Sequence, residues 1–274
     1  MTINCKGKLI DLTSPKVMGI LNLTPDSFYD GGKYKNESQI LAQVEMMLKN
    51  EATFIDIGAY SSRPNAQHIS EAEELTRLLP IINLLTKVFP EIIISVDTFR
   101  SEVAKQAITN GAALINDISA GKLDQNMMQT VANLQVPYIL MHMKGTPQNM
   151  QEQTNYKNII KELIFYFSER VAEAKKLGIN DMIIDPGFGF AKNTAQNFEV
   201  LTHLELLKIV DLPILAGVSR KSMIYKTLKN TAQDALNGTT VLNTIALQKG
   251  ANILRVHDVK EATETVKLIA QLNQ

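Results

Sequence analysis

Eight short apolar runs, separated by polar turns and helix-patterned stretches, constrain this chain more than any other feature. They lie at Val17–Leu21, Phe54–Ile57, Ile92–Val96, Ala113–Ile115, Tyr138–Met141, Met182–Ile184, Ile214–Ala216 and Ile253–Val256. Their length and composition suit strands buried on both faces. Between them, Ser38–Asn50 places Ile40, Leu41, Val44, Met47 and Leu48 on one helical stripe. Ser70 followed by Glu71, Glu73 and Glu74 predicts a capped helix running to Val88. Helices over Ser101–Asn110 and Tyr156–Leu177 are each followed by glycine, and further helices are expected over 195–210, 232–249 and 260–272.

Alternating strand and helix units force a parallel sheet with helices outside. Eight units in 274 residues predict a single domain, a (β/α)8 TIM barrel over residues 1–274. The rival is a doubly wound open sheet, but no Gly-x-Gly-x-x-Gly follows the first strand. Ahead of the barrel, Ile3–Leu12 reads as a short hairpin turning at Lys6-Gly7-Lys8. Lys plus Arg equals Asp plus Glu at 28 each, so no global field favours nucleic acid or an acidic membrane. The single cysteine, Cys5, excludes an intramolecular disulfide, and neither a signal-type core nor a membrane-length apolar run is present. The expectation is a soluble protein of a reducing compartment, the cytoplasm.

In a barrel, groups just after the strands converge on one mouth. Here those groups are Asn22, Asp56, Asp97, Asn116-Asp117, His142, Asp185, Gly217 with Lys221, and Arg255 with His257. Each has a plainer reading. Asp117 and Asp258 could serve as helix N-caps, Asp56 as a brace, Gly187 and Gly189 as turn glycines, and His142 as a packing residue. Those readings do not explain a polar ending on every strand at once.

Two chemistries share the mouth. Arg63, Lys221, Arg255 and His257 are cations after the second, seventh and eighth strands, and the last two loops are where barrels commonly hold phosphate. Asn22 near Asp26 and Asp30 could hold a hard cation such as Mg2+, which usually takes few protein ligands beside substrate phosphates. Together these groups fit a pyrophosphate. Asp97, Asn116 and Asp185 offer acceptors suited to a flat heterocycle rich in N–H groups, with Met141 and Phe190 able to cover its faces.

The motifs resemble those of the dihydropteroate synthase family of the folate pathway. Met18-Gly-Ile-Leu-Asn-Leu-Thr-Pro-Asp-Ser-Phe28 with Asp30-Gly-Gly32 is similar to its first signature, and Asp56-Ile-Gly58 with Ser61-Ser-Arg-Pro64 to its second. The likeness continues through Ser95-Val-Asp-Thr-Phe-Arg100, Ile115-Asn-Asp117, Leu140-Met-His-Met143 with Gly145-Thr-Pro147, Asp185-Pro-Gly-Phe-Gly-Phe190, Gly217-Val-Ser-Arg-Lys221 and Arg255-Val-His257. It runs from the first strand to the eighth.

The resemblance implies condensation of 6-hydroxymethyl-7,8-dihydropterin pyrophosphate with 4-aminobenzoate, giving 7,8-dihydropteroate and pyrophosphate. It implies that Asp97, Asn116, Asp185 and Lys221 hold the pterin, with Met141, Phe190 and Gly217 lining its site. Asn22, Arg63, Arg255 and His257 would hold pyrophosphate, Asn22 also meeting Mg2+. Ser62, Arg63, Pro64, Phe190, Lys221 and Ser222 would line the aminobenzoate pocket, the target of sulfonamide mimics. Asp97, Lys221, Arg63 and Asn22 would be the catalytic set. Thr24–Asn36 and Ser61–Ile69 would form lids over the substrates, and the family suggests a homodimer through outer helices.

The chain departs from the family pattern in the second loop. Many members carry Gly-Gly-Glu-Ser-Thr-Arg-Pro-Gly where this chain has Gly58-Ala-Tyr-Ser-Ser-Arg-Pro-Asn65, so Tyr60 replaces an acid and Asn65 a glycine. Two other readings are a methyltransferase of the same barrel superfamily acting on methyltetrahydrofolate, and a pterin-binding protein without catalysis. The first does not need Arg63, Lys221 and the Arg255/His257 pair arranged for a pyrophosphate. The intact strand ends argue against the second.

Overall fold

The computed structural model describes residues 1–23, 33–60 and 68–272. A hairpin opens the chain, strand β1 (Thr2–Cys5) pairing antiparallel with β2 (Lys8–Asp11). Its two turn residues, Lys6 and Gly7, both have positive φ, the geometry that a two-residue hairpin turn requires. Eight parallel strands follow: β3 (Lys16–Asn22), β4 (Phe54–Gly58), β5 (Ile94–Asp97), β6 (Leu114–Asp117), β7 (Tyr138–Met141), β8 (Met182–Asp185), β9 (Leu215–Ala216) and β10 (Ile253–Val256). They pair in the order β8-β7-β6-β5-β4-β3-β10-β9, and a parallel bridge between Ile184 and Ile214 closes the ring. The expected barrel is what the chain forms.

The helices on the outside are α1 (Lys33–Lys49), α2 (Glu71–Val88), α3 (Ser101–Thr109), α4 (Met127–Leu134), α5 (Ile159–Lys176), α6 (Thr194–Thr202), α7 (Ser222–Leu228), α8 (Leu236–Gln248) and α9 (Val259–Gln271). The predicted cap of α2 is present, Ser70 Oγ accepting from the Glu73 N–H at 3.2 Å. Several expectations are corrected. α1 begins at Lys33 rather than at Ser38. The stretch 195–210 is two elements, α6 and a 3-10 segment Leu204–Val210, because the helix stops at His203. α4 and α7 did not stand out in the sequence; each is at most eight residues, too short for a clear period.

Period-two alternation sorts each strand into outward and inward residues. One inward residue from each strand, or for β5 the residue just before it, forms a floor: Met18, Phe54, Ile93, Leu114, Ile139, Ile183, Leu215 and Ile253. Ile3, Cys5, Ile10 and Leu12 of the hairpin region pack beneath it, so the hairpin plugs the N-terminal end of the barrel. Burial in this plug pushes the Cys5 thiol up to about 12, which makes it a packing group rather than a reactive one. Outward residues such as Leu21, Ile57, Val96 and Leu254 join the larger core against the helices.

Candidate active site

Two residues above the floor the inward positions change character. Except on β3, where Ile20 remains apolar, they are occupied by Asp56, Ser95, Asn116, Met141, Asp185, Gly217 and Arg255, with Asn22, Gly58 and Asp97 one further step up on β3, β4 and β5. The polar residues therefore belong to the strands or follow them by one position. The ladders outlast the apolar runs because a polar side chain is tolerated where it points into the mouth.

The hydrogen bonds show convergence directly. Arg255 on β10 donates from Nε to Asp56 Oδ2 on β4 at 2.6 Å and from Nη2 to Asp97 Oδ2 on β5 at 2.7 Å. Asn116 Nδ2 on β6 donates to the same Asp56 oxygen at 3.1 Å. None of these pairs lies on neighbouring strands, so the side chains meet across the interior. Asp56 is 1% exposed, and its Oδ1 has no hydrogen-bond partner among the described residues. Asp56 is thus the brace that the sequence allowed, holding Arg255 and Asn116 in place. Burial pushes the Asp97 carboxyl up; Arg255 pulls it down and Asp56 pushes it up again. Arg255 is the counter-charge of two carboxylates, with at least two of its N–H groups already committed.

The opposite side of the mouth comes from the loops after β8 and β9. Asp185 is buried, and its Oδ1 accepts from the Gly187 N–H at 2.7 Å. Burial pushes its carboxyl up, while Lys221 and that N–H pull it down. Lys221 reaches back from the start of α7 to donate to the Phe188 carbonyl, and its Nζ lies 5.0 Å from the centre of the Phe190 ring. Burial pushes the Lys221 ammonium down to about 8, against the pull of Asp185. Met141 belongs to an apolar cluster against which Phe190 packs. Gly217 is buried beside Lys221, and a Cβ there would sit 3.9 Å from Nζ. Ser222 is half-buried next to Lys221.

Gly187 is a turn glycine of a demanding kind. Its φ is +69°, and a Cβ would stand 2.2 Å from the His142 carbonyl oxygen. Gly187→Ala is expected to lower stability by about 2 kcal/mol or more, since backbone strain and a backbone clash combine. Denaturant titration checks this, and an unchanged midpoint would contradict the packing described.

His142 follows its plainer reading. It is 2% exposed, packs edge-on against Tyr166 with ring centres 4.7 Å apart, and burial holds its imidazole well below the ordinary range. Asp117 is not a helix cap; its carboxylate accepts from Ser119, Gly121 and the Tyr138 hydroxyl and pins the turn after β6. Asp258 precedes α9 without a side-chain cap and instead pairs with Arg220 through two hydrogen bonds of 2.8 and 2.9 Å. Arg220 also donates to the Ala232 and Gln233 carbonyls, which fixes the loop carrying Lys221, a role the sequence did not reveal.

His257 is exposed at the rim, with its ring Nδ1 3.0 Å from the Ser219 hydroxyl. Asn22 is half-buried at the end of β3, paired with Gly58. Ser62, Arg63 and Pro64, the residues Asp26 and Asp30, and most of both lids lie outside the described residues. Tyr60 is described: its ring meets Phe99 edge-on at 5.1 Å, and its hydroxyl accepts from Gln148 Nε2 at 3.0 Å. The departure at this position therefore places an aromatic ring against Phe99 just after β4. No cluster of three or more His, Cys, Asp or Glu able to hold a metal occurs among the described residues. A cleft of about 630 Å³ lined by Lys122, Lys144 and Phe165 lies on the flank and contains none of the converging residues except for His142 at its edge.

Residues 18–257 match the family model described as pterin binding enzyme. The dihydropteroate synthase of Escherichia coli K12 is 39% identical over 271 residues, covering 98% of this chain and 95% of that protein. A crystal structure of the Yersinia pestis dihydropteroate synthase with a sulfonamide drug complex superposes with a TM-score of 0.93 at 40% identity, covering 100% of this chain and 99% of that one. The Xanthomonas albilineans dihydropteroate synthase in complex with 7,8-dihydropteroate gives 0.89 at 34% identity over 100% and 99% of the two chains.

Proposed function

Because the chain belongs to the pterin-binding enzymes, and among them to the dihydropteroate synthases, we propose that its barrel mouth joins 6-hydroxymethyl-7,8-dihydropterin pyrophosphate to 4-aminobenzoate. The observation that supports this reading is the convergence of acceptors and cations on one mouth. Asp97, Asn116 and Asp185 come from β5, β6 and β8 and Lys221 follows β9, while Arg255 reaches from β10 to Asp97, with Asn22 and His257 at the ends of β3 and β10.

In this reading the carboxylates of Asp97 and Asp185 accept from pterin N–H groups, Asn116 adds an amide, and Lys221 donates to a ring acceptor. Met141 and Phe190 cover the ring faces. Asn22, Arg255, His257 and the undescribed Arg63 face the pyrophosphate. Arg255 acts there as a fixed charge rather than an open clamp, since Asp56 and Asp97 hold it. Phe190, Lys221, Ser222 and the undescribed Ser62 and Pro64 border the aminobenzoate. The carbon–oxygen bond to pyrophosphate breaks with its electron pair leaving on oxygen, and the methylene cation is stabilised by electron release from the dihydropterin ring. The buried carboxylates beside the ring favour that positive charge. The neutral arylamine then forms the carbon–nitrogen bond, and the resulting anilinium, being acidic, passes its proton to water, so no strong general base is required.

A magnesium ion fits the donor set. Such an ion takes one or two protein oxygens and otherwise water and phosphate oxygens, so a single Asn22 amide suffices without an acidic cluster. When bound, it would neutralise charge on the departing pyrophosphate. We further propose that two copies associate through the outer helices, where Phe165 of α5, Leu206 and Ile209 after α6, and Leu228 of α7 are exposed apolar residues. The reading takes the cytoplasm as its setting, in keeping with a cysteine that is buried rather than bridged; no described helix is long and apolar enough to cross a membrane.

The test is to mix both substrates with Mg2+ and measure dihydropteroate and pyrophosphate. Equal amounts, dependent on both substrates, are expected. No pyrophosphate would defeat the reading and return attention to methyl transfer or to pterin binding without turnover.

A further inference from the structure

We propose that Lys192 is a positioning residue for the pterin site, holding the turn 185–190 in the shape that presents Asp185 and Phe190 to the ring. The inference rests on the assignment of Asp185 to pterin recognition. Lys192 is 3% exposed, an unusual place for a lysine. Its ammonium group meets three acceptors: His142 Nδ1 at 3.0 Å, the Gly187 carbonyl at 3.1 Å and the Phe190 carbonyl at 3.0 Å. Three acceptors match the three N–H bonds of an ammonium group. The histidine nitrogen must then be unprotonated, which agrees with a neutral, buried imidazole.

The turn explains why a donor is needed. Gly187 and Gly189 both have positive φ, so the chain doubles back tightly and sends carbonyls inward instead of into a ladder. Buried carbonyls without donors are costly. Lys192 bonds the carbonyls of Gly187 and Phe190, the fifth and second residues before it, and so clamps both ends of the turn. Asn197 completes the frame by accepting from the Gly189 N–H at 2.7 Å and donating to the Lys192 carbonyl at 3.2 Å.

A neutral donor could satisfy carbonyls, so the charge has a separate task. Asp185 is a buried carboxylate two residues from Gly187, and it needs positive neighbours to stay ionised. Lys192 and Lys221 both act on it in that sense, as does Arg255. Burial, helped by the repulsion of Lys221 and Lys144, pushes the Lys192 ammonium down to about 7, and Asp185 pulls it back up. Lys192 therefore touches neither ring nor pyrophosphate, and acts through Asp185 and the turn.

Lys192→Met keeps the volume and removes the donors and the charge. It is expected to raise the KM for the pterin pyrophosphate, and to weaken calorimetric binding of 6-hydroxymethylpterin, by about tenfold or more, with kcat changed by less than about threefold. A residue needed only for folding would lower the active fraction, so apparent kcat would fall at unchanged KM and unchanged affinity. That outcome would overturn the proposal. If Lys192→Met does not fold, His142→Phe decides: it keeps a ring and removes one acceptor, and a KM rise of about two- to fivefold is expected, no rise being contrary. Asp185→Asn separates the two layers of the argument. Loss of pterin binding in Asp185→Asn with retention in Lys192→Met sinks the positioning role alone; retention in Asp185→Asn sinks the pterin assignment itself.

Discussion

Arg255→Met is expected to destabilise the protein at pH 7 by about 3 kcal/mol or more and to lower turnover at least about a thousandfold. The stability loss follows from what the guanidinium leaves behind. Asp56 is 1% exposed and already has one buried oxygen without a partner. Removing Arg255 leaves Asp56 with only the Asn116 amide and leaves Asp97 facing a like charge with no cation between them. The penalty is that of uncompensated buried charge rather than of a lost contact. Asp56→Asn added to Arg255→Met should therefore recover a measurable part of the stability, while turnover stays lost because the mouth has lost its fixed cation. Denaturant midpoints of the three proteins check this. A single variant as stable as the wild type would show that the cross-barrel ion pair contributes little.

Lys221→Met has the opposite balance: a loss of turnover of about a hundred- to a thousandfold, with little cost in stability. The side chain donates to the Phe188 carbonyl and lies over Phe190, but burial has lowered its pKa from the ordinary 10.5 to about 8. The sign is as follows for activity. Below about pH 8 the group is a cation and can donate to pterin; above it the neutral amine predominates and turnover falls. Lys221→Arg should carry that alkaline limb to higher pH, though with a poorer fit. For stability, the unfolded chain binds the extra proton between about pH 8 and 10.5, so this lysine's share of stability rises with pH across that window. The wild type should gain on Lys221→Met as pH is raised from 8 to 10.5. A turnover profile flat through pH 9 would contradict the role given to Lys221.

The barrel was legible because its strands are buried on both faces and its helices carry stripes, so period and punctuation agree along nearly the whole chain. The inward residues were legible too, since each sits where an apolar run turns polar. What could not be read was which inward groups bond each other. Arg255 looked like an open phosphate ligand, and only the stagger of closed strands brings it between Asp56 and Asp97. The role of Lys192 is not legible for a related reason: a lysine in a polar turn is ordinarily solvated, and here the turn folds over it. Arg220 was hidden because its partner, Asp258, belongs to the next strand–helix unit. Short helices such as α4 escaped because two turns give periodicity little to act on.

The most direct test of the proposed site is a crystal structure with a pterin and pyrophosphate bound. The pterin edge is expected within about 3 Å of Asp97, Asn116 and Asp185, with Lys221 on a ring acceptor and pyrophosphate on the side of Asn22, Arg255 and His257. A pterin seated instead in the flank cleft beside Lys122 and Phe165, with the barrel mouth empty, would contradict the account.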